Sequence, residues 1–218
     1  MPTQAERIAA RHSHIAMSRR RQRPGSGSVL ADLMKHRGTT LKWWRETAAL
    51  LDSGGIPNAA AGAIAANAYM PPRHTADLDL MVVIDSLGPA SRLLIEAGWK
   101  STGELELYEG LKGTAWTDPA DTSRELDVIG LPGDWGHEAI ASAQTNLVGG
   151  IATLTLPFLV ITKLISARLQ DTGDLARALG AADDVLRRDV RDVVTRHRPG
   201  DLEDVEQLIE LGKLEFGR

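Results

Sequence analysis

Two aspartates in one short segment carry the clearest chemical signal in the chain. Asp77 and Asp79 stand two residues apart, at the start of the apolar run that ends at Ile84. In an extended strand, residues i and i+2 project from the same face, so the two carboxylates are expected side by side. Aspartate is uncommon in strands, and two close carboxylates favour a shared proton or cation. The pair predicts a metal platform; the alternative is a polar edge strand or turn.

A third carboxylate stands on another candidate strand. Asp127 lies among apolar residues in the segment from Glu125 to Gly130. If the two strands are neighbours, the three carboxylates converge at one edge of the sheet. Oxygen ligands of this kind suit Mg²⁺ or Mn²⁺, and a pair of such ions can clamp the attacking and leaving oxygens of a phosphoryl or nucleotidyl transfer. The alternative for Asp127 is an exposed position on an amphipathic strand.

Residues that favour phosphate precede the aspartates. Gly62 stands before a short Ala-rich helix, where backbone N–H groups and the helix dipole favour an anion. Arg73 and His74 follow that helix, and the guanidinium of Arg73 is the better phosphate ligand because it is always charged and bidentate. Gly62 taken alone is equally typical of an ordinary turn.

The order of these features resembles the nucleotidyltransferase superfamily of the DNA polymerase β type. The shared pattern is a glycine turn, a helix, Pro-Arg-x-Thr, Asp-x-Asp and a later aspartate on a strand. The segment from Thr162 to Leu175 is similar to a narrower signature, that of the AbiEii-type toxin nucleotidyltransferases, with Gln170 in the place of a lysine. The resemblance covers roughly residues 56–179.

The resemblance implies an enzyme that moves a nucleoside monophosphate from a nucleoside triphosphate (NTP) to an acceptor hydroxyl. Asp77, Asp79 and Asp127 would hold Mg²⁺ or Mn²⁺, and Asp127 would also help to deprotonate the acceptor. Lys163 would contact the nucleotide phosphates, and Asp171 would lie near the site and orient Lys163 or Arg168. Read without the resemblance, Lys163 is typical of a surface lysine on an apolar helix, and Asp171 of a helix cap.

The acceptor implied by the resemblance is the 3′ end of tRNA, with the protein acting as the toxin of a toxin–antitoxin pair and an antitoxin as its partner. A protein hydroxyl is a second acceptor found among such enzymes. The alternative function is a catalytically degenerate relative that binds a nucleotide, RNA or a partner protein. The single glycine of the turn and Gln170 motivate this alternative.

The composition excludes several classes of protein. The chain has no cysteine, which excludes disulfides and thiolate metal sites. Its net charge of −4 provides no overall basic field for nucleic acid, so tRNA would need a local basic patch. No apolar run is long enough to span a membrane, and no secretory signal is recognisable, so a cytoplasmic protein is expected.

Apolar periodicity and turn residues predict an α/β protein of the α+β type, with a small mixed sheet, flanking helices and a helical C-terminal region. We expect a basic, disordered tail at 1–28, a nucleotidyltransferase core at 29–156 and C-terminal helices at 157–218. Strands are predicted at 56–61, 78–84, 99–102, 105–108, 114–117, 125–129 and 151–156. Helices are predicted at 29–36, 41–51, 63–69, 89–97, 135–143, 158–169, 175–186 and 202–214.

Overall fold

The computed structural model of the protein describes residues 29–71, 75, 77–107 and 110–216. The predicted tail at 1–28 and the predicted phosphate ligand Arg73 lie outside the described residues. Within them the α+β prediction is confirmed: a five-stranded mixed sheet carries helices on its two faces, and helices alone follow it. None of the helices in the described ranges combines the length and apolar character that crossing a membrane requires.

The central sheet has the strand order β1-β2-β5-β4-β3. β2 and β5 run parallel, and the other neighbouring pairs are antiparallel. The strands of this sheet are β1 (Ala59–Ala60), β2 (Leu78–Val83), β3 (Lys100–Glu106), β4 (Lys112–Thr117) and β5 (Glu125–Leu131). A separate two-stranded sheet pairs β6 (Leu147–Val148) with β7 (Ile151–Ala152).

Eight α-helices are described in these ranges. They are α1 (Val29–Ser53), α2 (Gly62–Ala66), α3 (Leu87–Glu96), α4 (Gly133–Ala143), α5 (Leu156–Ser166), α6 (Leu169–Ala181), α7 (Asp184–His197) and α8 (Leu202–Phe216).

Alternation along β2 and β5 divides the core into two clusters. One, the tryptophan core, packs α1 and α3 on the sheet face that bears Leu80 and Val128. The other, the C-terminal core, packs α4 to α8 on the face that bears Met81 and Ile129. Because Asp79 alternates with Leu80 on the same strand, its side chain belongs to the second face. The acid face of the sheet is therefore the face that the C-terminal helices cover.

Several predicted boundaries differ from the structure. The predicted break between the helices at 29–36 and 41–51 is wrong, since α1 is continuous through Gly38, and one glycine inside a helix costs only about 1 kcal/mol. The two short strands expected between 99 and 108 are one strand with an irregularity between Ser101 and Gly103. The strand expected at 151–156 ends at Ala152.

The C-terminal region has four α-helices where three were predicted. The predicted helix at 175–186 is wrong because the chain breaks between α6 and α7, where the Asp183 carboxylate accepts a hydrogen bond from the backbone N–H of Leu186 at 2.8 Å. Arg187 stabilises this break from inside, since its guanidinium donates to the carbonyls of Leu179 and Gly180 at 3.0 and 2.9 Å. A buried arginine thus satisfies the carbonyl end of α6.

Candidate active site

Asp79 and Asp127 lie directly opposite each other on the parallel strands β2 and β5. Register partners in a sheet share a face, and neighbouring strands are about 4.8 Å apart, so the two side chains project together toward the C-terminal helices. The flanking residues Leu78, Leu80 and Leu126 are fully buried in the opposite, tryptophan core. Because side chains alternate between the two faces of a strand, burial of these neighbours on one face places both carboxylates on the other, the acid face.

Asp77 lies apart from this pair in the described geometry. It is exposed and precedes β2 by one residue, and its carbonyl oxygen accepts a hydrogen bond from the Thr75 hydroxyl at 3.3 Å. Across the described ranges, no three His, Cys, Asp or Glu side chains come close enough to form a ready metal site. The structure therefore brings Asp79 and Asp127 together but does not join Asp77 to them as a three-carboxylate group.

Gly62 lies against the carboxylate of Asp79. It begins α2 with φ +55°, and a Cβ placed on it would be 1.9 Å from Oδ2 of Asp79. The backbone is also fixed to the same residue, because the N–H of Ala61 donates to the carbonyl oxygen of Asp79 at 2.9 Å. Only glycine fits here, since any side chain would displace the carboxylate. The predicted approach of a phosphate to Gly62 stays a prediction.

Lys163 and two aspartates form a buried ionic triad between α5 and α6. The Lys163 ammonium donates to Oδ1 of Asp171 at 2.6 Å and to Oδ2 of Asp174 at 2.9 Å. The three residues are 4 %, 2 % and 2 % exposed. Buried charges of this kind persist only when they are paired and hydrogen-bonded. Lys163 is therefore not the surface lysine that its helix pattern alone suggested.

The second carboxylate oxygen of Asp171 has its own donors. It accepts hydrogen bonds from the hydroxyl of Ser166 and from Nε of Arg168, the latter at 2.8 Å. Burial opposes ionisation of Asp171, but attraction to Lys163 and Arg168 and the hydrogen bonds of Lys163 and Ser166 outweigh it, so its pKa is lowered. Asp171 is thus an ionised acceptor in the folded protein, in contact with both cations of the α5–α6 junction.

Arg168 connects this triad to the acid pair. Burial alone would lower the pKa of its guanidinium, but attraction and a hydrogen bond to Asp171, together with attraction to Asp79 and Asp127, raise it. The preceding residue, Ala167, has φ +46°, the left-handed conformation, which costs a residue with a Cβ about 1–2 kcal/mol. That turn ends α5 and begins α6, and so aims Arg168 toward the sheet.

A cavity of about 70 Å³ lies between the acid face and the α5–α6 junction. Its polar wall includes Asp79, Lys163 and Arg168, and its apolar wall is formed by Met81, Leu107, Leu111 and Ile129. The sheet thus contributes a carboxylate and aliphatic side chains to the same wall of the cleft, and the α5–α6 junction contributes its cations. Such a site can hold a cation at the carboxylates and an anion at the guanidinium.

Sequence reasoning placed Asp79, Asp127, Gly62, Lys163 and Asp171 in one site. Of these, Gly62, Asp79 and Lys163 line the cavity, Asp127 is the register partner of Asp79, and Asp171 binds Lys163; their joint role in catalysis stays a prediction. It assigned no role in binding to Arg168, and none to Asp174 or Ser166. Their spacing could have indicated them, because all three stand within five residues of Asp171. They lie at the end of α5 and the start of α6, which the left-handed residue Ala167 joins.

Comparison with known proteins gives a likeness of structure only, since no family model and no curated protein matches the chain. The solution structure of the antibiotic-resistance factor ANT(2'')-Ia is 18 % identical, with 83 % of this chain and 94 % of that chain covered at a TM-score of 0.45. The crystal structure of ANT(2'')-Ia with adenylyl-2''-tobramycin is 16 % identical, with coverages of 82 % and 99 % and a TM-score of 0.46.

A third structure, of an H. pylori protein assigned to the nucleotidyltransferases, is 12 % identical, with coverages of 81 % and 93 % and a TM-score of 0.39. Structural likeness at such low sequence identity and TM-score does not assign an activity to the chain.

Proposed function

We propose that the protein is a nucleotidyltransferase, which moves a nucleoside monophosphate from an NTP to an acceptor hydroxyl. The observation that carries the proposal is the direct register of Asp79 with Asp127, beside a glycine at which a Cβ would displace the Asp79 carboxylate. Cations from Lys163 and Arg168 line the same cleft. Paired carboxylates next to fixed cations suit a reaction that handles a polyphosphate together with a divalent cation.

The donor set of the acid pair suits Mg²⁺ or Mn²⁺. Mg²⁺ commonly keeps several waters and takes one or two protein carboxylates together with substrate phosphates. Asp79 and Asp127 supply two carboxylates without a third acid, and Asp77 is proposed as a further ligand. When bound, the ion would neutralise charge on the phosphates and lower the pKa of the acceptor hydroxyl.

The residues of the chain divide the remaining work. The oxygen of the acceptor hydroxyl attacks the α-phosphorus, the bond from that phosphorus to the β-phosphate oxygen breaks, and pyrophosphate leaves. Asp127 takes the proton of the acceptor hydroxyl. Asp79 is held in place against Gly62, and the cations that line the cleft, Lys163 and Arg168, balance the negative charge of the phosphates.

The cavity limits how the nucleotide binds. Its volume of about 70 Å³ is far below the roughly 300–1,000 Å³ of typical ligand pockets. Most of an NTP would therefore lie in the open mouth of the cleft, or the helices would have to separate from the sheet. The acceptor, too, approaches from the open side, and we propose the tRNA 3′ end, with a toxin role and a cognate antitoxin, as the specific form of the activity.

A second candidate function is binding of nucleotide, RNA or a partner protein without turnover. It is favoured by the missing three-carboxylate group in the described residues. The nucleotide-binding form of this candidate differs from the transferase in one measurable property, because both require Mg²⁺-dependent NTP binding but only the transferase requires release of pyrophosphate.

The test is incubation of the full-length chain with each of the four NTPs, labelled on the α-phosphate, with Mg²⁺ and total tRNA. Label transfer to RNA or protein, with pyrophosphate released, is expected from the wild type. Asp79→Asn should reduce the rate at least a hundredfold, because a neutral amide removes the ligand charge. Asp189→Asn, an exposed position on α7, is the matched control and should retain the full rate.

No transfer from any NTP, by a chain that unfolds cooperatively and still binds NTP, would leave the binding protein as the function. No NTP binding at all would overturn the transferase and the nucleotide-binding form of the second candidate, and would leave only binding of RNA or a partner protein.

A further inference from the structure

The backbone at the α5–α6 junction fixes Arg168 from both sides. On one side the N–H of Ala167 donates to the carbonyl oxygen of Lys163 at 3.0 Å. On the other, the carbonyl oxygen of Arg168 accepts from the N–H groups of Asp171 and Thr172 at 2.9 and 3.2 Å. A left-handed residue with a Cβ persists only where its surroundings determine it, and such positions cluster at functional sites.

Among the described residues, Asp171 holds the side chain of Arg168 through one atom of the guanidinium. Its Nε donates to Oδ2 of Asp171, and 41 % of the side chain is exposed. It lines the cavity together with Asp79. A guanidinium has four further N–H donors on its terminal nitrogens, in a planar arrangement that matches phosphate.

Lys163 is differently placed. Two of its three ammonium donors are used by Asp171 and Asp174 at 2.6 and 2.9 Å, and only 4 % of the residue is exposed. A phosphate at Lys163 would compete with two carboxylates for a buried ammonium, whereas a phosphate at Arg168 meets a cation on the open side of the cleft.

We infer that Arg168 is the phosphate-binding residue of the cleft, and that Lys163, Asp171 and Asp174 form the device that positions it. The inference rests on the proposed nucleotidyl transfer and names which cation meets the nucleotide. Asp171 is the link, because it contacts both Lys163 and Arg168. Arg168 also balances the charge of the acid pair, to which it is attracted.

The first test measures affinity by calorimetric titration of the full chain with Mg²⁺ and each of the four NTPs, and with Mg²⁺ and inorganic tripolyphosphate. Arg168→Gln should weaken binding of all five ligands at least tenfold and by a similar factor, because the contact is made to phosphate and not to the base. Arg168→Lys should lose less, since it keeps the charge but not the bidentate geometry.

Arg177→Gln is the matched control. Arg177 lies on α6, the helix that Arg168 immediately precedes, is half exposed, and is paired with Glu215 at 2.9 Å. Its replacement removes an equal charge and an equal ion pair from α6, and all five affinities should stay within twofold of the wild type. Thermal unfolding of each variant establishes that the titrated protein is folded.

The second test concerns the positioning role of Asp171. Asp171→Asn should weaken NTP binding, and the double variant Asp171→Asn with Arg168→Gln should bind no more weakly than Arg168→Gln alone. Such non-additivity is expected if Asp171 acts through Arg168. A merely structural Asp171 gives additive losses, and that result would overturn the positioning role.

The outcomes separate this inference from the proposed function. A wild-type chain that binds neither NTP nor tripolyphosphate overturns both. A wild-type chain that binds, with Arg168→Gln binding within twofold, overturns the assignment of Arg168 alone. A folded Arg168→Gln variant that loses affinity for one NTP but keeps tripolyphosphate identifies a base contact and also overturns it.

Discussion

A single close contact, between Gly62 and the carboxylate of Asp79, fixes the geometry of the acid pair. A Cβ at residue 62 would be 1.9 Å from Oδ2 of Asp79, and φ is +55°. Gly62→Ala should therefore lower the free energy of unfolding by about 1–3 kcal/mol. It should also reduce nucleotidyl transfer at least tenfold, because the carboxylate must move. Urea denaturation and the initial rate of label transfer measure the two effects.

Gly133→Ala separates backbone strain from displacement of the carboxylate. Gly133 also begins a helix and has φ +64°, but a Cβ placed on it would have no neighbouring atom within 4 Å. The variant should lose about 1 kcal/mol of stability and keep its transfer rate. Equal loss of rate in the two variants would show that Gly62 acts through stability alone.

The spacing of Asp77 and Asp79 predicts a charged strand end, and this much can be obtained from sequence. The partner of Asp79 cannot, because which strands are neighbours depends on distant packing. β2 and β5 are separated in the chain by α3 and by two further strands, yet they lie side by side. Arg168 was harder to predict still, since its position depends on one left-handed alanine that no local pattern distinguishes.

At the scale of elements, the triad of Lys163, Asp171 and Asp174 joins α5 to α6. Lys163→Met would leave two buried carboxylates without their cation, and should destabilise the protein by about 3–5 kcal/mol at pH 7. In the wild type, the lowered pKa of Asp171 contributes stability that is present above the ordinary value of 3.8 and is lost as pH falls through the folded-state pKa.

The stability of the Lys163→Met variant should depend on pH in the opposite direction to that of the wild type. Without Lys163, burial dominates and favours the protonated carboxyl group, so the stability deficit should shrink as pH falls from 7 to about 5. Urea denaturation at both pH values measures it. Lys213→Met is the control, because Lys213 pairs on the surface with Glu210 at 2.8 Å, and its small effect should not change with pH. A deficit that is constant with pH would contradict the triad as the cause.

Helices were predicted well where periodicity was strong, and less well where a single contact ends them. The break between α6 and α7 depends on the Asp183 cap and on Arg187, whose guanidinium reaches back to the carbonyls of Leu179 and Gly180. The tight crossing of α6 and α8 is similar: a Cβ on Gly212 would be 2.0 Å from the carbonyl oxygen of Ala176. Sequence shows the glycine but not the helix that approaches it.

At the scale of the whole molecule, the division at residue 156 stays a prediction, and the packing argues for one cooperative unit. The C-terminal core contains sheet residues such as Met81 and Ile129 together with Leu159, Val194 and Ile209 of the C-terminal helices. The strands that carry the acid pair therefore use these helices as their own core. A site assembled from both parts exists only while they remain packed.

Coupling between the two parts predicts a single unfolding transition. Four of the five tryptophans, Trp43, Trp44, Trp99 and Trp116, lie in or against the tryptophan core on the far face of the sheet. The fifth, Trp135, packs against the C-terminal core, so the experiment uses a Trp135→Phe background, in which fluorescence reports on the sheet and not on α8. Ile209→Ala, at a fully buried position of α8, should lower stability by about 2–5 kcal/mol and shift the fluorescence transition together with the far-ultraviolet circular dichroism.

Leu214→Ala, on the same helix but 79 % exposed, should shift neither transition by more than about 0.5 kcal/mol. If Ile209→Ala moves the dichroism alone, the C-terminal helices unfold separately from the sheet, and the cleft between them could open without loss of the fold.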